Sequence, residues 1–355
     1  MTTTSPTINQ PSPTLQPAKP PPRARRIFGL PLDRYLRDTK PLPLASDLQS
    51  AEDDMEARQA RLVVDLVDAA VALSDQDQQQ VTFQHTVFCQ TSLPYRDPGD
   101  DVRVWERING RAHLEILAGK AMHPELERLV PVGLPFGPKS RLILMHLNAE
   151  AKRTGSPDIE VEESLTAFVK RLKLNGNGRD MRTIKDQLTR LSSSLLRLGV
   201  VREGRATTIN SNIVSQFDIW FPKDDRQRVL WPSTVRLSGE YFESLMAHAV
   251  PLDEIAVASL SHSAMSLDVY AWLAQRLHRI PKPHRQLVPW TSLKEQFGPD
   301  YSTIRKFRQV FMVALRQVHT VYRAAKIDVT DEGLFLYTSP PPVAKTGVVL
   351  PIRRP

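Results

Sequence analysis

The order helix, strand, helix, helix, strand pair occurs twice between residues 138 and 340, and this repetition limits the fold more than any other feature of the chain. In the first copy, apolar spacing predicts a helix over Lys139 to Arg153, a strand over Asp158 to Val161, a helix beginning at Ser164 and a long helix over Gly178 to Leu198. The strands GVVRE and QFDIWF follow, with Glu203, Gly204 and Arg205 at a turn. In the second copy the predicted elements are a helix over Ser266 to Ile280, a strand over Gln286 to Trp290, a short helix after Thr291, a long helix over Ser302 to Tyr322, and strands at Lys326 to Val329 and Leu334 to Thr338. Leu142 and Leu267 open the copies 125 positions apart, and Ile184 and Ile304 in the long helices lie 120 apart. The expected class is therefore α+β, with two tandem winged-helix domains at 138–222 and 263–340.

The remaining segments are of other kinds. Residues 1–46 are rich in proline and poor in periodic hydrophobicity, so a disordered, basic arm is expected there, with Arg23, Arg25 and Arg26 supplying charge. Residues 47–75 begin acidic and carry Leu62, Leu66, Val67, Ala70 and Leu73 at helical spacing. This amphipathic helix needs a partner for its stripe: the neighbouring strands, a second protomer or a host protein. Residues 76–137 form a small β-rich subdomain in which VTFQHTVFC is a strand and VRVWERI and RAHLEIL form a hairpin at Asn109-Gly110. A helical connector spans 223–262, with Ser238 and Asp253 as N-caps, and residues 341–355 are a C-terminal tail.

The two long helices carry the chemistry. In the first, Met181, Ile184, Leu188, Leu191, Leu195 and Leu198 recur at steps of three and four and fix a buried face. The opposite face carries Arg179, Arg182, Asp186, Arg190, Ser193 and Arg197, with Lys185 beside it. In the second, Ile304, Phe307, Phe311, Leu315, Val318 and Tyr322 point inward, while Arg305, Lys306, Gln309 and Arg316 point outward, with Ser302 and Thr303 before them and Arg308 on the flank. A basic stripe alone is often only a solvated face. Here each stripe lies on the third helix of its unit, ahead of a strand pair, where a helix enters the major groove. Arginine and lysine offer donors to guanine edges and phosphates, and Gln309 suits adenine. Asp186 repels phosphate; it pairs with Arg182 or Arg190, or accepts from a cytosine amino group. Further candidate DNA contacts are Lys139 and Arg141 at a helix start, and Arg202 and Arg205 flanking the wing turn. Lys282 and Arg285 lie in the loop HRIPKPHR, which either grips phosphates or is plain solvated surface.

Charge distribution agrees with a polyanionic partner, since residues 138–221 carry +5 and residues 266–355 carry +8. The single Cys89 supports no disulfide framework, and the N-terminus has no signal-peptide core, which places the chain in a reducing cytoplasm. No run of about 18 apolar residues suggests a membrane span. The chemistry of a nicking enzyme, a His-hydrophobic-His metal site with a tyrosine nucleophile, finds no matching motif, and neither does a phosphate loop. No catalytic residue, metal or cofactor is expected, and the chain is read as a non-enzyme.

The segments GPKSRLIL, IEVEESLTAFVKRL and GRDMRTIKDQLTRL resemble the plasmid-encoded RepA replication initiators of Gram-negative bacteria. The likeness extends over roughly residues 80–340 and leaves out the arm and the acidic helix. It implies binding of origin DNA at repeated, iteron-like sites, recruitment of host initiation factors and the replicative helicase, and a homodimer formed through the first winged helix. The alternative reading is a dimeric winged-helix transcriptional repressor, autoregulatory in its own operon.

Overall fold

The structure is a computed structural model, and it describes residues 26–27, 30–31, 61–73, 80–123, 126–160, 165–174, 176–202, 205–217 and 234–343. The chain divides at Ala60 into two units. In the first, β1 (Arg26–Ile27) pairs antiparallel with β2 (Leu30–Pro31); the rest of the expected arm lies outside the described residues.

The second unit opens with helix α1 (residues 61–73), whose Leu66 and Ala69 join the common core and whose Ala70 is buried, so this part of the stripe packs within this chain, while Val67 of the expected stripe is exposed. Strand β3 (Val81–His85) runs into a short helix α2 (Thr86–Gln90), where sequence alternation predicts a continuing strand. His85 turns the chain: its Nδ1 accepts from the Val87 amide at 3.2 Å and caps the helix. Strands β4 (Val104–Asn109) and β5 (Ala112–Leu117) form the expected hairpin, but Asn109 pairs with Ala112, so the turn is Gly110-Arg111 rather than Asn109-Gly110, with Gly110 at positive φ. A second hairpin, β6 (Lys120–His123) with β7 (Arg128–Pro131), was not legible in the sequence pattern.

Helix α3 (Gly137–Thr154), strand β8 (Asp158–Glu160), helix α4 (Leu165–Arg171) and helix α5 (Gly178–Ser193) follow in the expected order. Helix α5 stops five residues short of Leu198. Ser194 closes it by donating its hydroxyl to the Arg190 carbonyl at 2.6 Å, a backbone competition that serine makes readily. Beyond it the leucines change period: β9 (Leu195–Arg202) buries Leu196 and Leu198 and exposes Arg197.

The strand pairing corrects the expected wing. Strand β9 pairs with β10 (Arg205–Asn212), and β9 also joins β5, giving a sheet in the order β10-β9-β5-β4. Of QFDIWF only Gln216 and Phe217 lie among the described residues; they end strand β11 (Val214–Phe217), which pairs not with β9 but with β12 (Thr234–Leu237), and β12 pairs with β8. Period-two alternation marks a strand but not its partner, and TTINSN was too polar to be read as one. After β12 come helix α6 (Gly239–His248), strand β13 (Ala249–Asp253), which pairs with β3, and helix α7 (Glu254–Ser259). Ser238 and Asp253 cap the two helices as expected: the Ser238 hydroxyl accepts from Tyr241 N, and the Asp253 carboxylate from Ile255 N and Ala256 N.

The second copy comprises helix α8 (Ala264–Arg276), strand β14 (Arg285–Pro289), helix α9 (Trp290–Phe297), helix α10 (Ile304–Val321), and strands β15 (Ile327–Val329) and β16 (Gly333–Tyr337). Its sheet order is β14-β16-β15, and that of the first copy is β8-β12-β11. In each, the strand after the first helix pairs with the last strand of the unit. The copies thus share one topology, and the first carries the β9-β10 hairpin between its third helix and its strand pair. Helix α8 is buried along nearly its whole length, with Tyr270 and Trp272 fully enclosed, and α3 packs against it.

Candidate nucleic-acid interface

Helix α10 is fixed by its apolar side. Phe307, Phe311, Ala314, Leu315 and Val318 are buried, and Phe307, Phe311, Phe297, Trp290 and Trp272 form a chain of ring contacts with centroids 5.3–6.1 Å apart. Burying each such large side chain contributes about 1.5–3 kcal/mol, which fixes the rotation of the helix about its axis. The Thr303 hydroxyl caps the helix by accepting from Lys306 N at 3.2 Å. With that rotation set, Arg305, Lys306, Gln309 and Arg316 are all exposed on the other side, together with Ser302 and Thr303. Ile304 departs from its expected inward position and is also exposed, because it begins the helix beyond the reach of the ring cluster. Val313 adds an exposed apolar side chain to this face, and its place between Gln309 and Arg316 in the sequence is the signal that puts it there. Arg308 is half-buried, 4.6 Å over the Trp290 ring and 3.5 Å from the Asp331 carboxylate.

The turn between β15 and β16 carries Asp331 and Glu332, both exposed. An acidic tip repels phosphate, so the outward face of α10 rather than this turn is the cationic element of the second unit. Lys282 and Arg285 are exposed at the start of β14, with Arg285 stacked 4.1 Å over the Phe335 ring.

The first unit presents a smaller cationic face. Arg179 and Arg182 are exposed on α5, and Lys185 is half-buried. Asp186 pairs with Arg190 at 3.0 Å, one of the two pairings its spacing allowed. Arg190 is not an outward cation: it also donates to the Leu134 carbonyl at 3.2 Å, lies 3.5 Å from Asp97 and faces the Phe136 ring at 5.1 Å. Lys139 is ion-paired with Asp180 at 3.2 Å.

Arg141 requires outright correction as a DNA contact. Its side chain is 2% exposed, and all five guanidinium donors are used within the protein. Two go to the carboxylate of Asp268, at 2.7 and 2.8 Å, and the others to the carbonyls of Leu93, Pro94 and Gly137. The Asp268 charge holds Arg141 protonated above its ordinary range, while burial pushes the Asp268 carboxyl up. Arg202 and Arg205 lie opposite one another in the β9-β10 register and so belong to the inserted hairpin, not to the strand pair that follows β8 in the sheet.

No curated protein sequence matches this chain. Two solved structures of domains 2 and 3 of RctB are similar to it. One shares 11% identity, a TM-score of 0.42, 68% of this chain and 83% of that one. The other shares 10% identity, a TM-score of 0.42, 74% of this chain and 92% of that one. Residues 134–291 match the family model described as plasmid encoded RepA protein, a span that runs from α3 to β14 and contains the segments GPKSRLIL, IEVEESLTAFVKRL and GRDMRTIKDQLTRL. Over residues 134–291, less than half of its length, the chain is therefore similar to the plasmid encoded RepA proteins.

Proposed function

We propose that the chain is a plasmid replication initiator that binds origin DNA sequence-specifically, at repeated iteron-like sites, through two winged-helix units. The observation that carries this reading is the outward face of α10, where Arg305, Lys306, Gln309 and Arg316 are exposed together on a helix whose other side is locked into an aromatic core. Donors at that spacing fit a guanine edge, an adenine edge and a backbone phosphate in turn. The family match over residues 134–291 supports the initiator role, and the common topology of the two copies supports a pair of winged helices. In this reading the chain has no catalytic activity of its own, acts in the bacterial cytoplasm, and engages host initiation factors and the replicative helicase. Among the described residues no helix is long and apolar enough to cross a membrane.

Footprinting of the purified full-length protein on its own plasmid tests the proposal. Several regularly spaced protected sites beside an AT-rich segment are expected. A single protected palindrome over a promoter would replace the initiator with a repressor, and no protection at all would remove DNA recognition.

A further inference from the structure

Where α8 ends and β14 begins, the second unit holds a cleft of about 310 Å³ lined by Arg276, Arg279, His284, Arg285, Gln275 and Gln286. Among the described residues no carboxylate lines it. Arg276 donates from Nε to the Gln286 side-chain carbonyl at 3.1 Å and lies 5.6 Å from the centroid of the Trp272 ring. Arg285 stacks over Phe335, and Arg279 reaches the His278 imidazole at 3.4 Å. An amide, two aromatic faces and an imidazole orient these three guanidinium groups, but none of them neutralises charge. The C-terminus of α8 contributes about half a negative charge, which offsets less than one of the three cations. Burial also holds Arg276 below the ordinary guanidinium range, so an anion seated here would relieve a real desolvation cost. A guanidinium stacked on a ring keeps its edge donors outward, in the geometry that grips an oxyanion with two parallel bonds.

The cleft stands apart from the wing turn. Arg285 lies opposite Tyr337, whereas Pro289, at the other end of β14, lies opposite Gly333 beside the acidic turn. Four residues of strand separate those ends by about 13 Å. We propose that this cleft binds a phosphate group, held by Arg276, Arg279 and Arg285. Phosphate chemistry is common to a DNA backbone and to a free phosphorylated ligand such as a nucleotide; only the DNA source rests on the function proposed above.

The test uses the full-length protein, Arg279→Gln and the double variant Arg276→Gln/Arg279→Gln. Thermal unfolding in inorganic phosphate is compared with chloride at matched ionic strength. The wild type should gain melting temperature as phosphate rises, Arg279→Gln should gain less, and the double variant should show no specific gain. Duplex binding measured against salt then identifies the source. If the cleft holds the backbone, the double variant should lose about two in the slope of log affinity against log salt, with sequence discrimination intact. An unchanged slope with a lost phosphate effect assigns the cleft to a free phosphorylated ligand. A phosphate effect equal in wild type and Arg279→Gln overturns the proposal, and because Arg279 is exposed that comparison stands even if the double variant fails to fold. Should the wild type bind no duplex, the proposed function fails while the phosphate measurement still reads the cleft.

Discussion

Arg141 shows how little a residue's type says about its use. From the sequence it is a cation at a helix start; in the fold it is a buried strut joining the first helix of one copy to the first helix of the other through Asp268, 127 positions away. A buried pair of this kind adds modest net stability, but removing one partner strands the other charge. Asp268→Ala is therefore expected to cost about 3–5 kcal/mol in urea unfolding, and Arg141→Met with Asp268→Leu much less than the two single changes combined. His85 gives a second residue-scale prediction. Its Nδ1 accepts from Val87 N, its Nε2 is 2.9 Å from the Ser244 hydroxyl, and burial, helped by His248, lowers its pKa to about 3. The unfolded chain takes up this proton near pH 6.5 and the folded chain near 3. The contribution is thus fully present above about pH 6.5 and is lost as pH falls toward 3, at up to about 1.4 kcal/mol per pH unit. Unfolding free energies measured between about pH 7 and pH 5 should fall with this sign, and His85→Gln should flatten the slope.

At the scale of elements, the apolar periodicity of α5 and α10 correctly set which side of each helix is buried, through Ile184, Leu188 and Leu191 in one and Phe307, Phe311 and Val318 in the other. Periodicity could not say which polar residues on the remaining arc are free of partners: Arg190 meets Asp97 and the Leu134 carbonyl, both from segments distant in sequence. The second sheet depends on a close approach that also lies beyond local pattern. A Cβ on Gly333 would fall 2.1 Å from the Val288 carbonyl oxygen and 2.8 Å from Pro289 Cα, backbone atoms of the paired strand. Gly333→Ala is expected to destabilise the second unit by about 1–3 kcal/mol, read as a lower thermal midpoint, and to loosen the β14-β16 pairing. An unaltered midpoint would show that the strands separate at little cost.

For the whole molecule, the two units should contribute unequally to DNA binding. Helix α10 keeps Arg305, Lys306, Gln309 and Arg316 exposed, whereas on α5 only Arg179 and Arg182 of the candidate arginines are exposed. Arg305→Ala and Gln309→Ala should each cost about 1–3 kcal/mol on the matched site and reduce discrimination against a scrambled one. Arg316→Ala should weaken both sites alike if it holds a phosphate. Competition binding on matched and scrambled duplexes separates these outcomes, and if Arg182→Ala abolishes binding while the α10 variants leave it intact, the ranking of the units is reversed. Affinity should also fall steeply as salt rises, because each neutralised phosphate releases condensed counterions.

The sequence by itself determined the repeated order of elements, the rotation of the two long helices, the caps at Ser238 and Asp253, and a RepA likeness, placed at roughly residues 80–340 where the family model matches 134–291. Each of these rests on neighbours within a turn or two of helix, or on short contiguous motifs, where side-chain period and backbone preference act locally. Only the tertiary structure decided that β11 and β12, rather than β9 and β10, complete the first three-stranded sheet. It alone decided that Arg141 is buried against Asp268 and that Arg276 and Arg279 meet Arg285 around one cleft. Strand partners and charge partners are chosen by hydrogen bonding and desolvation across space, between residues whose separation along the chain carries no periodic signal.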